Sequence, residues 1–124
     1  VLPIAVVLTA TFFGNPTVVP APADEALVRQ LIDALKDADP DVRNNLATAL
    51  AKIGPAAVEP LTAALKDRIP ERRAGAAYTL GLLGGSGKSA LPALLELLKD
   101  DEVIVRRQAS YAISKMVPTG GGGR

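Results

Sequence analysis

The sequence contains no cysteine, no histidine and no tryptophan, and aromatic residues make up only 3% of it. Without cysteine there is no disulfide and no thiol nucleophile. Without histidine as well, Ser-His triads, zinc sites built on Cys or His, and the usual general base at neutral pH are excluded. Charge of one sign is not in excess: 14 Lys and Arg face 13 Asp and Glu, a net charge of +1. That is far from the basic footprint of a general nucleic-acid binder. The apolar stretch VLPIAVVLTATFF, residues 1–13, falls short of the roughly 20 residues that a bilayer-spanning helix needs.

What is present is enough to fold. The 124 residues are 48% hydrophobic, the size of one domain, and Ala and Leu dominate, which is the material of closely packed helices. The chain divides into three parts. Residues 1–23 combine the apolar stretch with GNPTVVPAPA, rich in Pro and small residues. They read as a signal-peptide or membrane-anchor remnant, with Ala21 to Ala23 as a cleavage site and export or anchoring implied; the alternative is a disordered or packed arm on a cytoplasmic protein. Residues 24–117 are the folded region, and 118–124, with Gly120 to Gly123, read as a flexible tail.

The folded region repeats itself. ALKDADPDVRNNLATALAKIG (34–54), ALKDRIPERRAGAAYTLGLLG (64–84) and LLKDDEVIVRRQASYAISKMV (97–117) align without gaps, at spacings of 30 and then 33 residues. Leu35, Leu65 and Leu98 correspond, as do the Lys-Asp pairs that follow them and the arginines at 43, 73 and 106. Each unit holds two helical patterns. Val42, Leu46, Ala49, Leu50 and Ile53 recur at three- and four-residue steps, and Val28, Leu31, Ile32 and Leu35 do the same in the other helix type. Asp39 can cap a helix with Pro40 in its first turn, and Gly54 can close it. Six helices are predicted, over 24–37, 40–53, 56–67, 70–83, 89–99 and 102–117.

This pattern resembles HEAT repeats, in a short form with the spacing seen here, which is also found in phycobilisome lyases. The residues that carry the resemblance are D-P-D-V-R-x-x-x-A-x-A-L-x-x-I-G from Asp39 to Gly54 and A-V-x-P-L-x-x-A-L-K-D from Ala57 to Asp67. The resemblance implies an all-α fold, a right-handed α-solenoid of about three helix pairs. It also implies an Asp-Arg ladder between neighbouring units through Asp39, Arg43, Arg73, Glu102 and Arg106. Ile69 and Arg72 depart from the pattern in the second unit, so the ladder is expected to be interrupted there, with Arg72 and Arg107 solvated.

Two other features invite a functional reading. GGSGKS, Gly84 to Ser89, looks like a phosphate-binding loop, which requires G-x-x-x-x-G-K-[ST] after a buried strand. Counting back from Gly87 reaches Leu82, and the preceding segment is helical, so no nucleotide is expected there; the stretch reads as a lengthened, mobile turn. Tyr78 and Tyr111 share one repeat position and suit either partial burial or a contact patch. The arginines are balanced by Asp41, Glu71 and Glu102, so nucleic acid is not expected as a partner.

No pair of carboxylates has the support that acid–base catalysis needs, and no cofactor or metal is implied. The expectation is a non-catalytic scaffold that binds another protein through the curved surface lined by the second helix of each repeat. The candidate contacts are Arg29, Asp33, Lys36, Glu59, Ala63, Lys66, Glu96 and Lys99. The alternative is an auxiliary component of an enzyme system, as in the HEAT-type bilin lyases.

Overall fold

The structure, a computed structural model, describes residues 22–118. The expected leader and most of the expected Gly-rich tail lie outside the described residues. Among those described there are α-helices and short 3-10 segments and no strand. In chain order the helices are α1 (Pro22–Ala34), α2 (Pro40–Ile53), α3 (Val58–Ala64), α4 (Pro70–Leu83), α5 (Leu91–Glu96) and α6 (Val103–Met116). None is long and apolar enough to cross a membrane.

Proline and glycine punctuate the helices as their backbone limits require. Pro40 and Pro70 stand in the first turns of α2 and α4, where a missing N–H costs nothing. Gly54 and Gly84 close the same helices at φ 89° and 59°, a region that favours glycine. Asp39 caps α2 by accepting the Asp41 amide at 2.8 Å. The helices of the other type come out shorter than their sequence pattern. Gly54–Ala57 and Gly84–Ala90 are 3-10 segments leading into α3 and α5, and Leu97–Lys99 is another that ends α5. Their tighter winding brings Ala57, Ala90 and Leu97 to the inner side of the corners.

The helices form two layers. α2, α4 and α6 lie side by side; α1 packs on α3, and α3 meets the Gly84–Ala90 segment that delivers α5. The core between the layers is built from Leu35, Leu50, Leu61, Leu65, Leu80, Leu94 and Val105, all fully buried, each worth about 1.5–3 kcal/mol in transfer from water. α4 is the central helix and is buried on several faces at once, which only its run of small residues, Ala74 to Ala77 and Gly81, permits. Gly81 lies so close to α6 that a Cβ would come within 2.7 Å of the Tyr111 ring and 3.0 Å of the Ala112 backbone. Thr79, buried among them, satisfies its hydroxyl by donating to the Gly75 carbonyl at 2.7 Å.

One predicted core position differs. Val42 is 38% exposed, whereas Val105, at the same repeat position, is fully buried. α2 is the first helix of its layer, so nothing among the described residues stacks on the side where Val42 stands.

Candidate functional site

Three turns in register connect the layers. Each carries an aspartate, Asp37, Asp67 or Asp100, whose carboxylate accepts the amide two residues ahead at 2.9, 2.9 and 3.0 Å. The arginine six residues further on folds back over the turn. Arg43 donates through Nη1 to the Asp37 and Ala38 carbonyls, Arg73 to those of Asp67 and Arg68, and Arg106 to those of Asp100 and Asp101. The expected pairing of Asp39 with Arg43 is therefore not formed: the Asp39 carboxylate is engaged by its own helix end, and Arg43 is turned toward main-chain carbonyls. Glu102 contributes its amide to Asp100 and makes no ion pair among the described residues.

The acids of the ladder are instead the aspartates of the repeated Lys-Asp pairs. Arg73 reaches the next unit, its Nε and Nη2 donating to the two carboxylate oxygens of Asp100 at 2.9 Å each. Such a fork matches the planar guanidinium to the carboxylate. At the junction before it, the substitution of Arg72 for a valine changes the wiring. Arg72 donates to Asp67 at 2.7 Å and to Asp33 at 2.6 Å, so it links α1 to the second unit. Its side chain is only 14% exposed, and its Nε is buried without a partner among the described residues. The expected interruption of the ladder is a rerouting, and Arg72 is not solvated. Arg107 is exposed. The signal for the true acids was present in the aligned Lys-Asp pairs; the reach of Arg72 to a residue of α1 had no counterpart in any single repeat.

Burial alone would push the Asp67 and Asp100 carboxyls up, and it is the largest single influence on each. The hydrogen bonds from Arg72 and the Ile69 amide on Asp67, and from Arg73 and the Glu102 amide on Asp100, act with the neighbouring arginine charges in the opposite direction. Together they prevail, and both groups titrate below the ordinary aspartate value.

These ion pairs close one end of two grooves on the layer of α1, α3 and α5. The first, about 510 Å³, lies between α1 and α3: Arg29, Ile32 and Asp33 form one wall, Pro60, Ala63 and Ala64 the other, with Asp67 and Arg72 at its end. The second, about 580 Å³, runs from Leu65, Lys66 and Asp67 to Pro92, Ala93, Glu96 and Leu97 on the α5 side, with Ser89 also on its rim and Arg73 and Asp100 at its end. Asp67 belongs to both. The structure thus brings Arg29, Asp33 and Ala63 together in one groove and Lys66 and Glu96 in the other. Lys36, Glu59 and Lys99 are exposed beside the grooves and line neither; Lys36 pairs with Asp33 at 3.7 Å.

The other two sequence features serve the packing of α4 on α6. Tyr78 and Tyr111 meet with ring centroids 5.3 Å apart, and the Lys115 ammonium lies 5.5 Å from the Tyr111 ring centre. Gly84–Ala90 follows a helix rather than a strand, and its Gly87 is buried against Leu80 and Met116, where a Cβ would approach each to 3.2 Å. The lengthened turn is a 3-10 segment in which Gly87 and Ala90 are buried and Gly85, Ser86, Lys88 and Ser89 are exposed.

A family model for HEAT repeats matches residues 28–114. The chain belongs to the HEAT repeat family. The match takes in both grooves and extends through the three units as far as residue 114, and the two-layer helical arrangement is consistent with it. No curated protein matches the chain. HEAT repeats commonly serve as surfaces for protein association, which agrees with a site made of grooves rather than of reactive groups. Among the described residues no cluster of carboxylates has the makings of a metal site.

Proposed function

We propose that this HEAT repeat protein is a non-catalytic scaffold that binds another protein across the α1, α3 and α5 layer, with the partner's side chains entering the two grooves. The observation that carries this reading is the pair of adjacent grooves sharing Asp67, each with an apolar floor and a charged end. That combination, an apolar centre with polar groups that fix orientation, is what protein interfaces use. Small residues keep the surface open: Ala63 and Ala93 stand where a longer side chain would fill a groove. The carboxylates of Asp67 and Asp100 are already paired with arginines within the protein, so they set the shape of the grooves and leave Arg29, Lys66 and Glu96 to meet the partner.

The test is quantitative comparison of co-purifying proteins for the parent chain, Ala63→Arg, Glu96→Lys and a control on the opposite layer, Lys52→Glu. A partner lost by both groove variants and kept by the control is the expected result. Partner sets that do not change with the groove substitutions would remove this face as the binding surface.

A further inference from the structure

Among the described residues, the first and last units of the array carry complementary halves of the contact that joins its units. At the α5–α6 end, Leu95 is 50% exposed and Leu98 41% exposed. Their repeat counterparts are better covered: Ile32 is buried and Thr62 half-buried for the first, and Leu35 and Leu65 are buried for the second. What covers Leu35 is the next unit, whose Gly75 backbone lies against it so closely that a Cβ would come within 2.9 Å of the leucine. Arg106 stands at this same end. Its Nη1 holds the turn as Arg73 does, but it has no carboxylate partner among the described residues, where Arg73 has Asp100.

The α1–α2 end offers what is missing. Asp37 is the counterpart of Asp100; its carboxylate holds the Asp39 amide and is otherwise exposed, with no arginine on it among the described residues. Val42 is the counterpart of the fully buried Val105 and is 38% exposed. Because the first unit has valine at this position, as the third does, its end matches the junction between the second and third units and not the rerouted one at Arg72.

We propose that the α5–α6 end of one copy docks on the α1–α2 end of a second copy, with Arg106 forking onto Asp37 of the second chain and Leu95 and Leu98 covering the side of Val42. The junction repeats the Arg73–Asp100 contact between chains. Because the two surfaces differ, the contact is heterologous and head to tail, and it propagates into an open array rather than closing as a symmetric dimer.

Sedimentation velocity of the 124-residue chain, over a concentration series from micromolar to millimolar, reads this directly. The weight-average mass is expected to rise continuously past that of a dimer. Asp37→Arg and Arg106→Asp each place like charges at the junction and are expected to weaken association by about tenfold or more. Mixing the two variants in equal amounts restores opposite charges at every junction and recovers the parental behaviour. Leu98→Glu, which puts a charge on the apolar part of the junction, gives a second route to monomer, with circular dichroism checking that the helices are intact. A parent chain that stays monomeric throughout, a dimer that stops growing, or single variants that do not regain association on mixing would each overturn the proposal.

Discussion

Arg73 holds Asp100 of the following unit in a two-pronged contact, Nε to Oδ2 and Nη2 to Oδ1, both at 2.9 Å, while its remaining nitrogen secures the turn of its own unit. One side chain thus fixes the local corner and the stacking of the next one. Both partners are largely withdrawn from water, with side-chain exposures of 16% and 10%, so the pair is shielded in a way that surface ion pairs are not.

Replacing Arg73 by lysine keeps the charge and loses the fork. An ammonium cannot serve two carboxylate oxygens and two main-chain carbonyls in that geometry. Arg73→Lys is expected to lower unfolding free energy by about 1–2 kcal/mol and Arg73→Ala by about 3 kcal/mol, since the alanine leaves Asp100 poorly compensated. Urea denaturation of the three proteins measures both, and equal stability of parent and lysine variants would contradict the role assigned to the fork.

Acid should weaken the fold through Asp67 and Asp100. Both carboxyls have folded-state values below the ordinary 3.8, so at acidic pH the unfolded chain binds more protons than the folded one. Their contribution is fully present above the unfolded value and is lost as pH falls through the depressed folded values. Denaturation midpoints from pH 7 to pH 2 are expected to drop mainly below about pH 4. Asp67→Asn and Asp100→Asn should each start less stable and show a shallower fall.

Gly81 sets how near α4 and α6 can approach. Gly81→Ala is expected to cost about 1–3 kcal/mol, because the added methyl meets the backbone of Ala112 as well as a ring that can turn aside. Gly85, whose Cβ would meet nothing within 4 Å, supplies the contrast: Gly85→Ala should be neutral or slightly stabilising. Thermal unfolding of the pair separates close packing from a general effect of replacing glycine.

The contact between Tyr78 and Tyr111 is expected to add about 0.5–1.5 kcal/mol beyond the area it covers. Single substitutions by leucine and the double variant form a cycle that isolates this term. A coupling energy near zero would mean that the rings are neighbours by register alone.

The amino-acid sequence by itself determined the repeat, the helix type and, to within a residue, the bounds of α2, α4 and α6. α2 and α4 begin and end where Pro40, Gly54, Pro70 and Gly84 require, because proline and glycine act through their own backbone restrictions, whatever surrounds them. The 3.6-residue spacing of Val28, Ile32 and Leu35, or of Val105, Ala109, Ala112 and Met116, likewise fixes an inner face without reference to a partner. Five of the eight proposed contact residues stand on the walls of the two grooves, because helical periodicity already assigns them to one face of their helices.

Tertiary structure decided the charges and the ends. An arginine side chain reaches far enough to choose among several acids, and the choice depends on which turn lies beside it. Arg72 therefore spans Asp67 and Asp33, and Arg43 leaves Asp39 for main-chain carbonyls. Whether a repeat residue is core or surface also depends on having a neighbour. Val105 is buried and Val42 is not, although the sequence writes them at the same position, because stacking is a property of adjacent units and not of the unit alone.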